Sequence, residues 1–79
     1  MKQTIIPIKG EKDLAISLVT YEDNYMEVAL LYKPAGSERW ELEPSYFSEP
    51  FYARSQTEVY TIIEYTINPK VYENRKGGR

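Results

Sequence analysis

The chain contains neither cysteine nor histidine. Without cysteine there is no disulfide to staple a small fold and no thiolate to hold a metal. Without histidine, acid–base or nucleophilic chemistry would fall to Asp, Glu, Lys, Tyr or Ser, and no nucleophile motif surrounds any of these. Glycine is scarce too, with four residues. Gly77 and Gly78 follow no strand and open no helix in the sequence pattern, so they make no phosphate cradle. No apolar run approaches the roughly 20 residues of a membrane span. The N-terminal MKQTIIPIKG has its apolar run interrupted by Pro7 and lacks a small-residue cleavage site, so no secretory signal is read there. These absences predict a non-enzymatic, cytoplasmic protein with no cofactor, no bound metal and no membrane partner.

The 79 residues, with a formal net charge of −2, hide a polarity. Residues 13–69 carry ten acidic side chains against three basic ones, while Lys2, Lys9 and Lys12 at one end and Lys70, Arg75, Lys76 and Arg79 at the other make both ends basic. An acidic body repels phosphate, which argues against nucleic-acid binding by the folded surface, though a basic tail can touch a phosphate backbone. The length predicts one domain over residues 1–73, with 74–79 (NRKGGR) as a flexible basic tail. A core this thin, with neither disulfide nor zinc, raises the expectation of a homodimer or an obligate complex.

The stretch Asp13 to Lys33, DLAISLVTYEDNYMEVALLYK, organises the rest. Leu14, Ile16 and Leu18 alternate on one arm, and Met26, Val28 and Leu30 alternate on the other, the pattern of a β-hairpin with one buried face. A three-residue loop of Glu22, Asp23 and Asn24, with Asn24 left-handed, sets Thr20 against Met26, Leu18 against Val28, Ile16 against Leu30 and Leu14 against Tyr32. Thr4 to Ile8 reads as a short strand, placed at a sheet edge by Pro7. Pro34 to Ser37 reads as a turn leading into a returning strand from Arg39 to Glu43, with Trp40 and Leu42 inward. The segment from Pro44 to Tyr52 loses the alternation and reads as an irregular, ordered loop between two prolines.

Residues 56–67 point two ways. Val59, Ile62, Ile63, Thr66 and Ile67 fit helical spacing, and Ser55 with Glu58 forms a capping box. The density of β-branched residues and tyrosine favours a strand instead. Asn68-Pro69 reads as a turn, and Lys70 to Glu73 as a last short strand. The predicted fold is mainly β, a small antiparallel sheet, meander or partly open barrel. The alternative is α+β, an antiparallel sheet with one helix at residues 56–67.

Aromatics are the informative excess: eight tyrosines, two phenylalanines and one tryptophan. Most are assigned to the core. Tyr46, Phe47, Phe51 and Tyr52, rimmed by Glu41, Glu43 and Glu49, are assigned to a partner-binding loop, since proline-bracketed aromatics present large contact area at low entropic cost. The function this predicts is a protein-binding module of the inhibitor or adaptor type, with a basic partner. Two alternatives stand beside it. One is a single-stranded nucleic-acid binder using surface tyrosines with Lys70, Arg75, Lys76 and Arg79. The other is a structural homo-oligomer, for which Tyr21 and Tyr25, with Val19 and Leu31 nearby, form a strip that either meets a second copy or lies under the 56–67 element. Glu41 and Glu43, about 7 Å apart by strand rise, have the spacing of paired carboxylates but read more simply as a solvated strand face. Glu22, Asp23 and Asn24 supply too few ligands for a calcium cage.

Overall fold

The structure is a computed structural model; it describes residues 1–42, 47 and 49–77, the last four of these as backbone only. Tyr46 and Glu43 therefore lie outside the described residues, as do the side chains of Arg75 and Lys76 and the whole of Arg79.

Among the described residues five strands form one open antiparallel sheet: β1 (Lys2–Ile8), β2 (Glu11–Thr20), β3 (Met26–Tyr32), β4 (Glu41–Leu42) and β5 (Phe51–Ala53). The order is β1-β2-β3-β4, and β5 pairs with β3 beyond β4, so two short strands share one edge of β3. The hairpin β2–β3 has the register its alternation predicts, with Leu14 opposite Tyr32, Ile16 opposite Leu30, Leu18 opposite Val28 and Thr20 opposite Met26. Its loop closes through the Tyr21 N–H donating to the Tyr25 carbonyl (2.8 Å) and the Asn24 N–H donating to the Tyr21 carbonyl (3.0 Å). Asn24 takes φ +67°, a left-handed conformation that Asn tolerates, and the Asp23 carboxylate accepts from the Tyr25 N–H. Strand β1 is the outer edge; the register shifts between Pro7 and Ile8, and Gly10 at φ +85° turns the chain into β2.

Residues 56–67 are helical, not a strand. Helix α1 (Gln56–Ile62) passes through a π-helical segment (Ile63–Ile67) into α2 (Asn68–Gly77). The capping box decides the start: the Ser55 hydroxyl accepts from the Glu58 N–H (3.1 Å), while the Glu58 carboxylate reaches back to the Arg54 N–H (2.8 Å). The β-branched residues that suggested a strand are accommodated by packing. Val59, Ile67 and Val71 are buried against the sheet, and Thr61 satisfies its hydroxyl by donating to the Thr57 carbonyl (3.0 Å). The turn expected at Asn68-Pro69 and the strand expected at Lys70 to Glu73 are also replaced by helix, Asn68 taking φ −59° and ψ −46°.

The π segment sets the phase of this long helix. Val59, Ile63, Ile67 and Val71 recur every four residues, and an α-helix turning about 100° per residue would carry Val71 about 120° around from Val59. Bonds from i to i+5, such as the Asn68 N–H to the Ile63 carbonyl, wind the chain less per residue and return the stripe to the sheet. The segment also lies just ahead of Pro69, whose missing N–H and bulky ring disrupt a regular α-helix.

The core is the layer between the sheet and this helix: Leu14, Ile16, Met26, Val28, Leu30 and Ala53 from the strands, with Val59, Ile67 and Val71 from the helix. On the returning strand the expected facing is reversed. Leu42 pairs with Leu31 on the face away from the helix and is 62 % exposed, and the half-buried Trp40 ring lies beneath the Lys33 ammonium at 4.6 Å.

Ile67 is fully buried and Tyr65, two residues earlier, is 79 % exposed. Ile67→Ala is expected to cost about 2–5 kcal/mol in urea unfolding, while Tyr65→Ala should stay within about 0.5 kcal/mol. Equal losses would refute this helical phase.

Candidate functional site

Strand alternation divides the sheet into two faces, and the helix covers one. The odd-numbered residues of β2 and β3 face the other way. Ala15, Ser17, Ala29 and Leu31 there are nevertheless buried: Gln3 donates from its amide to the Ser17 hydroxyl at 2.9 Å, and Leu42 pairs beside Leu31. At the hairpin end of this outer face stand Tyr21, Tyr25 and Glu27, with Tyr52 and Arg54 beside them. The β3–β5 register is what joins the two groups: Met26 opposes Ala53 and Glu27 opposes Tyr52, so one step further places Arg54 across from Tyr25.

The cluster is tightly connected. The Tyr25 and Tyr52 rings stack with centroids 5.4 Å apart and planes 12° apart. The Arg54 guanidinium lies 4.8 Å from the Tyr25 centroid, a cation–π contact. The Tyr21 hydroxyl donates to the Glu27 carboxylate at 2.9 Å. Tyr52 remains 50 % exposed and Tyr21 36 % exposed.

Both exposed tyrosines ionise less readily than free tyrosine. For Tyr21 the hydrogen bond to Glu27 is the main cause, followed by desolvation and the nearby negative charge of Glu27. For Tyr52 desolvation leads, followed by the charge of Glu27, then Tyr25 and Glu49. The single Glu27 carboxylate thus acts on both rings.

The predicted partner loop divides between the two sides of the sheet. Phe47 and Phe51 pack edge-to-face on each other (5.0 Å, 78°), and both are half-buried against the core cluster. Tyr52, the next residue, points outward, and Glu49 is exposed just before it. Glu41 is exposed on β4, opposite Tyr32 and away from the Tyr21–Tyr25 end of the hairpin. Tyr21 and Tyr25, placed by sequence either at a dimer face or under the 56–67 element, are not under that element, which covers the opposite face. Lys70 is exposed on α2, in the layer on the far side of the sheet from the tyrosine cluster.

Arg54 was missed, though a signal was present. Phe51, Tyr52, Ala53 and Arg54 alternate apolar and amphipathic residues, the mark of a strand showing Tyr52 and Arg54 to one side. The prolines at 44 and 50 obscured it. Among the described residues no group of three Asp or Glu side chains is placed to hold a metal ion, and no helix is long and apolar enough to cross a membrane.

No protein-family model matches the chain, no curated protein matches its sequence, and no solved structure matches its fold.

The raised tyrosine values have a definite consequence. A group ionising later in the folded state stabilises the fold fully below its unfolded value, about pH 10 for tyrosine, and that contribution disappears as pH rises through the folded-state value. Stability should therefore fall above about pH 10 in step with tyrosinate absorbance. Glu27→Gln should move the Tyr21 titration back towards that of free tyrosine. An alkaline absorbance titration unchanged by the substitution would contradict this account of Glu27.

Proposed function

We propose that the protein is a protein-binding module whose contact surface is the hairpin end of the outer sheet face. The observation that carries this reading is the stack of Tyr25 on Tyr52, half open to solvent, in a cluster that the chain's own helix leaves uncovered. Tyrosine and arginine are the residues that most often dominate binding energy at interfaces, and here they are held on paired strands instead of a loose loop. Acidic residues surround them: Glu22 and Asp23 in the hairpin loop, Glu27 within the cluster and Glu49 before β5. That rim speeds and steers association with a basic partner, while the aromatic rings supply affinity.

This surface supports the reading better than the whole segment from Tyr46 to Tyr52, because Phe47 and Phe51 are engaged in the core. A single-stranded nucleic-acid role draws some support from Tyr60, Tyr65 and Tyr72, which are exposed on the same helical run as Lys70. The same run exposes Glu58, Glu64 and Glu73, which oppose phosphate. A cytoplasmic location is consistent with the absence of cysteine.

Tyr21→Ala with Tyr52→Ala should abolish capture of the partner from native lysate while lowering the unfolding free energy in urea by no more than about 1.5 kcal/mol per site, so that the chain stays folded. Phe47→Ala should instead lower stability by removing a side chain packed against the core. Undiminished capture by the double tyrosine variant would overturn the assignment of this face.

A further inference from the structure

The chemistry of the cluster specifies its occupant more closely. We infer that this surface takes an arginine-bearing segment of a partner protein, the guanidinium lying on the exposed Tyr52 ring between the carboxylates of Glu27 and Glu49. The inference rests on the proposed binding role of this face and adds the kind of side chain it selects.

Three observations converge on it. First, the chain already displays the contact internally: Arg54 lies 4.8 Å over Tyr25, so an aromatic ring at this place on the sheet accepts a guanidinium. Second, Tyr52 continues the aromatic row by stacking on Tyr25, yet half of its surface is open. Third, the carboxylates are placed to complete a cationic site. Glu27 pairs directly opposite Tyr52 in the ladder, and the exposed Glu49 stands three residues ahead of Tyr52 at the entry to β5. Ring face and carboxylate together suit arginine better than lysine, since a planar guanidinium stacks and donates in a fork at once, whereas an ammonium is a compact and strongly hydrated charge.

Other occupants fit less well. A nucleic acid would bring phosphates against Glu22, Asp23, Glu27 and Glu49, with Arg54 already engaged by Tyr25. A second copy packed symmetrically about this cluster would bring a second set of the same four carboxylates into one interface, with Arg54 the cation of the cluster to offset them.

Fluorescence anisotropy with the full chain tests this, using a labelled peptide of alternating Gly and Arg, its counterparts with Lys or Gln at the Arg positions, and a single-stranded DNA oligonucleotide. The Arg peptide should bind, the Lys peptide about fivefold more weakly and the Gln peptide not measurably, with affinity falling as salt rises. Tyr52→Ala should weaken the Arg peptide about tenfold while Tyr52→Phe, which keeps the ring, stays within about twofold. Glu49→Gln should weaken it and flatten the salt dependence. Thermal melts of each variant verify folding.

Equal binding of the Gln peptide, tighter binding of the oligonucleotide, indifference to Tyr52→Ala, or a dimer by light scattering with this face occluded would each overturn the inference. If the Arg peptide fails to bind while the Tyr21 and Tyr52 double variant still loses its lysate partner, the binding role stands and the arginine preference falls. If that capture is also unaffected, both fall.

Discussion

The pairing of Ile16 with Leu30 and Leu18 with Val28 governs where every other side chain can go. Strand side chains alternate, so fixing one pair sorts the whole hairpin: Leu14, Ile16, Met26, Val28 and Leu30 join the layer under the helix, and the odd-numbered residues face the other side. The tyrosine cluster follows from that sorting. Tyr21 and Tyr25 flank the loop on odd positions, and the β3–β5 register brings Tyr52 and Arg54 to the same side. A slip of one residue in β3 would turn Met26, Val28 and Leu30 outward and carry Tyr25 and Glu27 to the helix side. The core pairing therefore sets the geometry of the surface cluster, while substitutions at the odd positions can change that cluster and leave the buried layer in place.

The helix answers the same constraint from the other side. A sheet with one apolar face needs a second layer, and the helical run from Gln56 to Gly77 supplies it. Its apolar stripe recurs every four residues, too long a repeat for a straight α-helix to keep on one side. The π segment restores the phase for Val59, Ile67 and Val71, and it stands beside the one residue in the run, Pro69, that a regular α-helix accommodates poorly. Because the helix spends its apolar stripe on the inner face, nothing in the described chain is left to cover the tyrosines on the outer one.

Some of this was legible in the sequence and some was not, for identifiable reasons. The hairpin was readable to the residue because two independent signals agreed: alternation on both arms and a loop whose Asn tolerates a left-handed backbone. The edge placement of β1 followed from Pro7. The 56–67 element was not decidable by propensity, since Val, Ile, Thr and Tyr favour strands locally while tertiary packing and the Ser55–Glu58 box favour a helix. Local reading also failed at Pro69, because a π segment tolerates a proline that would otherwise mark an end. The site was half legible. Acid-rimmed aromatics were visible, but whether Phe47 or Tyr52 faces inward depends on pairing with β3, a contact some 25 residues distant along the chain.

The way these rings are held bears on how they would act in the proposed role. A free tyrosine on a mobile loop loses rotamer freedom when it binds, and that loss subtracts from affinity. Here Tyr25 is already bracketed by Tyr52 and Arg54, and Tyr21 is tied to Glu27. Little remains to be ordered on contact. Glu27 has a second effect: as an acceptor it fixes Tyr21, and as a charge next to Tyr52 it adds to desolvation in disfavouring the phenolate. Substituting Glu27 would thus loosen one ring and weaken the field around another without touching the core. In the proposed role, affinity and steering, usually separable between the centre and rim of an interface, would converge on this one side chain.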